Sequence, residues 1–185
     1  TGDNNTGIGA SVLVANTTGT YNTGIGAHAL YTNTTASYNT AVGYNALNAN
    51  TTGEKNNAFG YGALLANTTG DWNSAFGHAA LDANTTGDSN VAVGYEALTK
   101  SNSDNNVAVG RYALRELTTG ESNVAVGLNA LQLTTTGVNN VAIGRNTLST
   151  QDTPSFQVAI GAYALNANTS GFGNVGVGAS ALTAN

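Results

Sequence analysis

The stretch that decides the fold is Asn39–Gly53, NTAVGYNALNANTTG. It carries no charge, and its larger apolar residues, Val42 and Leu47, stand isolated among Gly, Asn, Ala and Thr. Taken alone it is too rich in Gly and Asn for a helix and too interrupted for an ordinary strand. Its meaning lies in recurrence. Residues equivalent to Asn39 occur at Asn5, Asn22, Asn56, Asn73 and Asn90, each 17 residues from the last. After one 16-residue unit the series continues at Asn106, Asn123, Asn140, Gln157 and Asn174, giving eleven registers.

Counting each unit from that residue as position 1, position 3 is Ala or Gly and position 4 is Val, Ile or Phe in all eleven. Position 5 is always Gly, position 9 is always Leu, and positions 13–15 mostly read Thr-Thr-Gly. A unit this short cannot hold two packed helices, and a fixed mid-unit Gly costs a helix about 1 kcal/mol each time. It fits one coil of an all-β, parallel β-solenoid. Coils stacking at roughly 4.8 Å would make eleven of them a rod of about 50 Å, each coil burying its neighbours' faces. Two short strands per coil are expected, over positions 1–5 and 8–12, joined by a Gly corner and the Thr-Thr-Gly turn.

The fixed positions then acquire physical roles. The glycines of position 5, among them Gly43, Gly60, Gly77, Gly94, Gly110, Gly127 and Gly144, supply a corner conformation that a Cβ resists. Small residues at positions 3 and 8 suit a narrow interior. Asn at position 1 is expected to form an amide ladder from coil to coil. Val/Ile/Phe at position 4 and Leu at position 9 form two apolar stripes, and the sequence leaves open whether both face the interior or one faces a partner. Position 2 turns from Thr, Asn or Ser in the first five units to Val in the last six, so an inward position 4 would make the C-terminal half the drier one.

Bulk composition narrows the function. With 41% hydrophobic residues the chain can bury a thin core, which a disordered polar tract cannot do. A net charge of −5, with five scattered Lys and Arg, excludes the clustered basic surface that nucleic acid requires. No apolar run reaches the roughly 18–20 residues of a membrane-spanning helix. Thr1 stands first without a visible leader, which reads as a processed chain or an excerpt. Thr1–Asn4 occupy positions 14–17 and Thr183–Asn185 positions 10–12, so one added residue would join copies in register. End-to-end stacking into a filament is therefore an expectation, since uncapped strand edges invite another chain.

The sequence "NVAVG" (Asn106–Gly110), "NVAIG" (Asn140–Gly144) and "QVAIG" (Gln157–Gly161) resembles the head repeats of trimeric autotransporter adhesins. The fuller unit of Asn39–Gly53 is similar to repeats of phage tail-fibre shafts and large bacterial surface proteins. The resemblance covers nearly the whole chain. It implies a left-handed parallel β-roll, homotrimeric assembly, and a non-enzymatic role as an extracellular fibre or adhesin at a cell surface or on a virion. The coil here is longer than in the adhesin heads and has the added Thr-Thr-Gly turn.

Candidate chemistry is sparse. His28 and His78 lie three coils apart and at different positions, with no Ser and Asp gathered around either, so no catalytic or zinc constellation is expected. Gly171–Gly176 spells G-x-G-x-x-G, but its glycines fall where turns and small residues already recur. No cofactor is expected, calcium apart: Glu54, Asp71, Asp88 and Glu121 share position 16, and stacked carboxylates could bridge an ion.

The exposed-aromatic candidates for a carbohydrate or protein receptor are Tyr44, Tyr61 and Tyr95 at position 6, Tyr112 and Tyr163 at position 7, and Trp72 with Tyr21 and Tyr38 at position 17. Asn16, Asn33, Asn50, Asn67, Asn84 and Asn168 head glycosylation sequons at position 12, which would suit a secreted glycosylated filament. Turn chemistry is the alternative, because Asn and Thr bond locally to backbone. Ice binding is a third reading of the same polar row, weakened because two adjacent Thr point to opposite sides.

Overall fold

The computed structural model describes residues 2–168 and 171–183. Eleven three-residue strands, from β1 (Thr6–Ile8) and β2 (Thr23–Ile25) through β6 (Val91–Val93) to β11 (Val175–Val177), form one parallel sheet in sequence order. Each strand pairs position for position with the next coil, as Thr40, Ala41 and Val42 do with Asn57, Ala58 and Phe59. The chain is an all-β parallel solenoid whose coil is the 17-residue unit.

Only positions 2–4 are extended. Positions 8–12, expected as a second strand, run instead through consecutive turns. The reason is local: position 7 takes positive φ at Asn45 (56°), and position 9 does so at Leu47 (49°). A left-handed residue every second step cannot continue a strand. The backbone is still paired along the stack. Leu47 N–H donates to Ala63 O at 3.0 Å in the next coil, and Asn45 N–H to Ala27 O at 3.1 Å in the preceding one. Leu at φ near +50° is costly by itself. It is retained because that conformation turns the side chain inward, where Leu30, Leu47, Leu64, Leu81 and Leu98 are all fully buried. Full burial of a Leu is worth roughly 1.5–3 kcal/mol.

The two apolar stripes part company here. Leu at position 9 is core, whereas position 4 faces outward: Phe76 is 39% and Ile143 39% exposed. Strand alternation is the cause, since Ala41, Ala58 and Ala75 at position 3 take the inward side at 0% exposure. Val42 therefore belongs to the surface, and Val at position 2 dries the outer face of the C-terminal coils, not their interior.

Positions 3 and 8 meet across the interior, and their volumes compensate. Val12 stands where most coils have Ala, and Gly7 and Gly24 replace the facing Ala. A Cβ on Gly24 would lie 2.5 Å from Val12 Cγ1. At the position-5 corner, Gly43 has φ +139°, and a Cβ would meet Gly60 O at 2.3 Å. The corner glycines thus stack on one another with no room for a side chain.

Gly94→Val is expected to break the stack, with a loss of about 3 kcal/mol or more, because both φ and the Gly110 carbonyl oppose a side chain there. Gly62→Ala, at a left-handed position with open space around it that Ala79 occupies one coil on, should cost about 1–2 kcal/mol. Urea denaturation of both variants checks the contrast.

Candidate interaction surface

Two buried carboxamide columns occupy the interior and decide what remains for the surface. At position 1, Asn39 Nδ2 donates to Gly53 O at 2.8 Å in its own coil, while its Oδ1 accepts the N–H of Asn56 at 2.9 Å from the next. At position 12, Asn50 Nδ2 donates both to Asn33 Oδ1 and to Gly53 O, each at 2.9 Å. The position-15 glycine is fixed by this crowding, since a Cβ on Gly53 would lie 2.7 Å from Asn50 Oδ1 and 2.5 Å from Gly70 O.

The sequon asparagines are these rungs. Asn33, Asn50, Asn67, Asn84 and Asn168 are fully buried, and Asn16, in the first coil, is half-buried. Thr169 and Ser170 of the last sequon lie outside the described residues. A glycan on Asn50 would displace a donated hydrogen bond inside a closed interior, so the turn chemistry of Asn and Thr is what the geometry uses. The Thr of position 13 joins it: Thr51 Oγ1 donates to Thr68 O at 2.9 Å.

The short unit shows how tightly this system is set. Asn90 Nδ2 reaches Ser103 O at 2.7 Å, across 13 residues where other coils span 14. Asn102 Oδ1 substitutes for a missing carbonyl and accepts the N–H groups of Thr85 and Thr86 at 2.9 and 2.8 Å. Ser101 ends the position-12 run of Asn, and Asn84 Oδ1 is left without a donor. Beside it in sequence, Asp82 Oδ1 is likewise buried and unpartnered. Burial raises the Asp82 carboxyl above the ordinary carboxylate range, against the lowering effect of the Ala83 N–H.

The acidic column at position 16 also has work within the fold. Asp71 Oδ1 accepts the N–H of Glu54 at 2.6 Å, Asp88 Oδ1 that of Asp71 at 2.8 Å, and Asp104 Oδ1 that of Asp88 at 2.8 Å. One oxygen of each of these carboxylates is thereby committed to the backbone of the preceding coil. Glu121 is exposed in the same column. No cluster of three His, Asp or Glu side chains exists among the described residues. Gly171–Gly176 leads into β11 and no helix follows it among them, so the dinucleotide motif lacks its context.

The aromatic candidates form columns. Tyr44, Tyr61, His78 and Tyr95 stack in succession with centroids 5.4, 5.0 and 5.1 Å apart and planes within 18°. The column ends in an edge contact of Tyr95 with Tyr112 at 5.6 Å. His28, at position 7, meets Tyr44 edge-on at 6.0 Å from beside this column, three coils from His78. On the other side of the strand, Tyr21 stacks on Tyr38 at 5.2 Å, and Lys55 Nζ lies 5.2 Å over Trp72. Arg145 covers Tyr163 at 4.9 Å. Ring faces are thus turned to neighbouring coils, and solvent meets mainly edges and hydroxyls. Stacked sugar recognition, which needs open ring faces, has little room within the columns.

Between the two columns lies the outer strand face, positions 2 and 4. The columns are legible in the sequence as recurring aromatics, and the change to Val at position 2 is the visible sign of the sheet face. A groove of about 480 Å³ beside it is lined by Thr153, Ser155, Phe156, Gly171 and Phe172, with no ionisable side chain.

No protein-family model, curated protein or solved structure matches the chain. The class it defines rests on its own geometry: a repeat protein built as a parallel β-solenoid.

Asn73→Ala should cost about 2 kcal/mol, because it orphans the buried Asn90 N–H, while the Gly87 carbonyl keeps its second donor, Asn84 Nδ2 at 3.0 Å. Asn102→Ala, at an exposed side chain whose bonds water can replace, should cost about 1 kcal/mol in the same denaturation assay. Asp82→Asn should raise the melting temperature at neutral pH. A carboxyl raised by folding penalises the native state once it ionises, so that gain should shrink as pH falls through the ordinary carboxylate range. A gain that is constant with pH would trace the effect to packing instead of charge.

Proposed function

We propose that this chain is a non-enzymatic segment of an extracellular fibre, a shaft or adhesin head that holds repeated side chains out along a rigid rod. The observation that carries this is the division of labour within the coil. Positions 1, 3, 5, 8 and 9 are nearly constant and, with the largely Asn and Gly positions 12 and 15, serve the stack, while position 4 keeps an outward apolar residue and positions 2, 6, 10, 16 and 17 vary and bear the outward chemistry. Such a chain makes length and a repetitive surface, and it gathers no residues at one point.

The resemblance of Asn106–Gly110 and its counterparts to trimeric adhesin heads and tail-fibre shafts supports the same reading, including self-association at a cell surface or on a virion. A glycosylated filament gains less support, since its acceptor asparagines are interior rungs. Immunogold labelling of the source cells or particles tests the proposal. Label on surface appendages is expected, and label confined to cell interiors would overturn it.

A further inference from the structure

We infer that the outer strand face pairs side by side and in parallel with the same face of a second copy of the chain, the position-6 edge of one copy lying against the position-16 edge of the other. This deepens the fibre reading by naming the surface through which copies associate.

The face is apolar, continuous and unpartnered. Positions 2 and 4 of β6–β10 supply Val and Ile alone, and position 4 remains exposed at 36% in Val93 and 38% in Ile160. Stacked Phe59 and Phe76, 4.9 Å apart, extend it toward the N-terminal coils. With its bordering columns the face measures roughly 50 by 15–20 Å, on the order of 800 Å² per copy, which is what a standard stable interface buries on each side.

Two independent features set the direction. Position 2 is Thr, Asn or Ser in coils 1–5 and Val in coils 6–11, so only parallel copies lay dry against dry and polar against polar. Charge gives the same answer. A twofold axis along the rod carries the position-6 edge onto the partner's position-16 edge, whereas antiparallel packing sets position 6 against position 6. Among the described residues Arg111 forms no ion pair within 4 Å: it lies over Tyr112 at 4.6 Å and donates to its hydroxyl at 3.0 Å, and Glu96 acts on it only from a longer distance. At the same height, the other edge presents Asp104 and Glu121. The antiparallel alternative would leave those charges without complement.

Sedimentation of the full chain should give twice the chain mass. Val126→Lys, at an outward site that leaves the core untouched, should reduce it to monomer while retaining the circular dichroism of the parent. Arg111→Glu should weaken association at least tenfold, and adding Glu121→Arg should restore part of the loss. Val126→Cys should cross-link to itself through a short bismaleimide. In an antiparallel pair those residues would be displaced by four coils, about 19 Å. A monomeric parent, a Val126→Lys variant that still assembles, or no self-cross-link overturns the inference. None of these outcomes bears on the labelling experiment, which judges the fibre reading separately.

Discussion

Everything in this rod depends on a carboxamide buried once per coil. The side chain at position 1 closes its own coil by donating to the position-15 carbonyl, and binds the next coil by accepting its N–H. Both partners are buried backbone groups, and an alternative residue would leave the next coil's N–H unsatisfied at a cost of about 1–3 kcal/mol, the carbonyl keeping only its position-12 donor. The requirement concerns chemistry more than size. Gln157 fills the place once, with Nε2 on Gly171 O at 2.8 Å and Oε1 accepting from Asn174 at 3.2 Å.

The near-constant coil length follows from that closure. A fixed side-chain reach between positions 1 and 15 permits few lengths of intervening chain. The single shortened unit survives because Ser103 brings its carbonyl into place and Asn102 supplies an acceptor from its side chain. The unpartnered Asn84 Oδ1 and Asp82 Oδ1 lie in the coil just before it, where the Asn run of position 12 stops. A solenoid is stable as a sum of interfaces between neighbours, so such a local deficit is carried by the coils on either side.

Because the interior consumes nearly every fixed residue, the outward columns are free to differ. They show a directional pattern: aromatic stacking in the N-terminal and central coils, Arg over Tyr further on, and a Val and Ile sheet face that dries toward the C-terminal end. A rod with that gradient has a head and a tail. Lateral contacts through it are therefore sensitive to orientation in a way that contacts of a uniform rod would not be.

The sequence by itself determined the period, the parallel stack, the glycine corner and the amide ladder, because each rests on a residue repeated at one position in register after register. Tertiary structure decided three things. Leu at position 9 takes a left-handed conformation, so a turn replaces the second strand; φ is set by where the side chain must go and leaves no trace in hydrophobic pattern. Position 4 faces out, because inside and outside are defined only once positions 3 and 8 are seen to meet. The Asn of position 12 is interior, although its sequon reads identically on a surface loop. A tripeptide specifies chemistry, and only the closed coil specifies access.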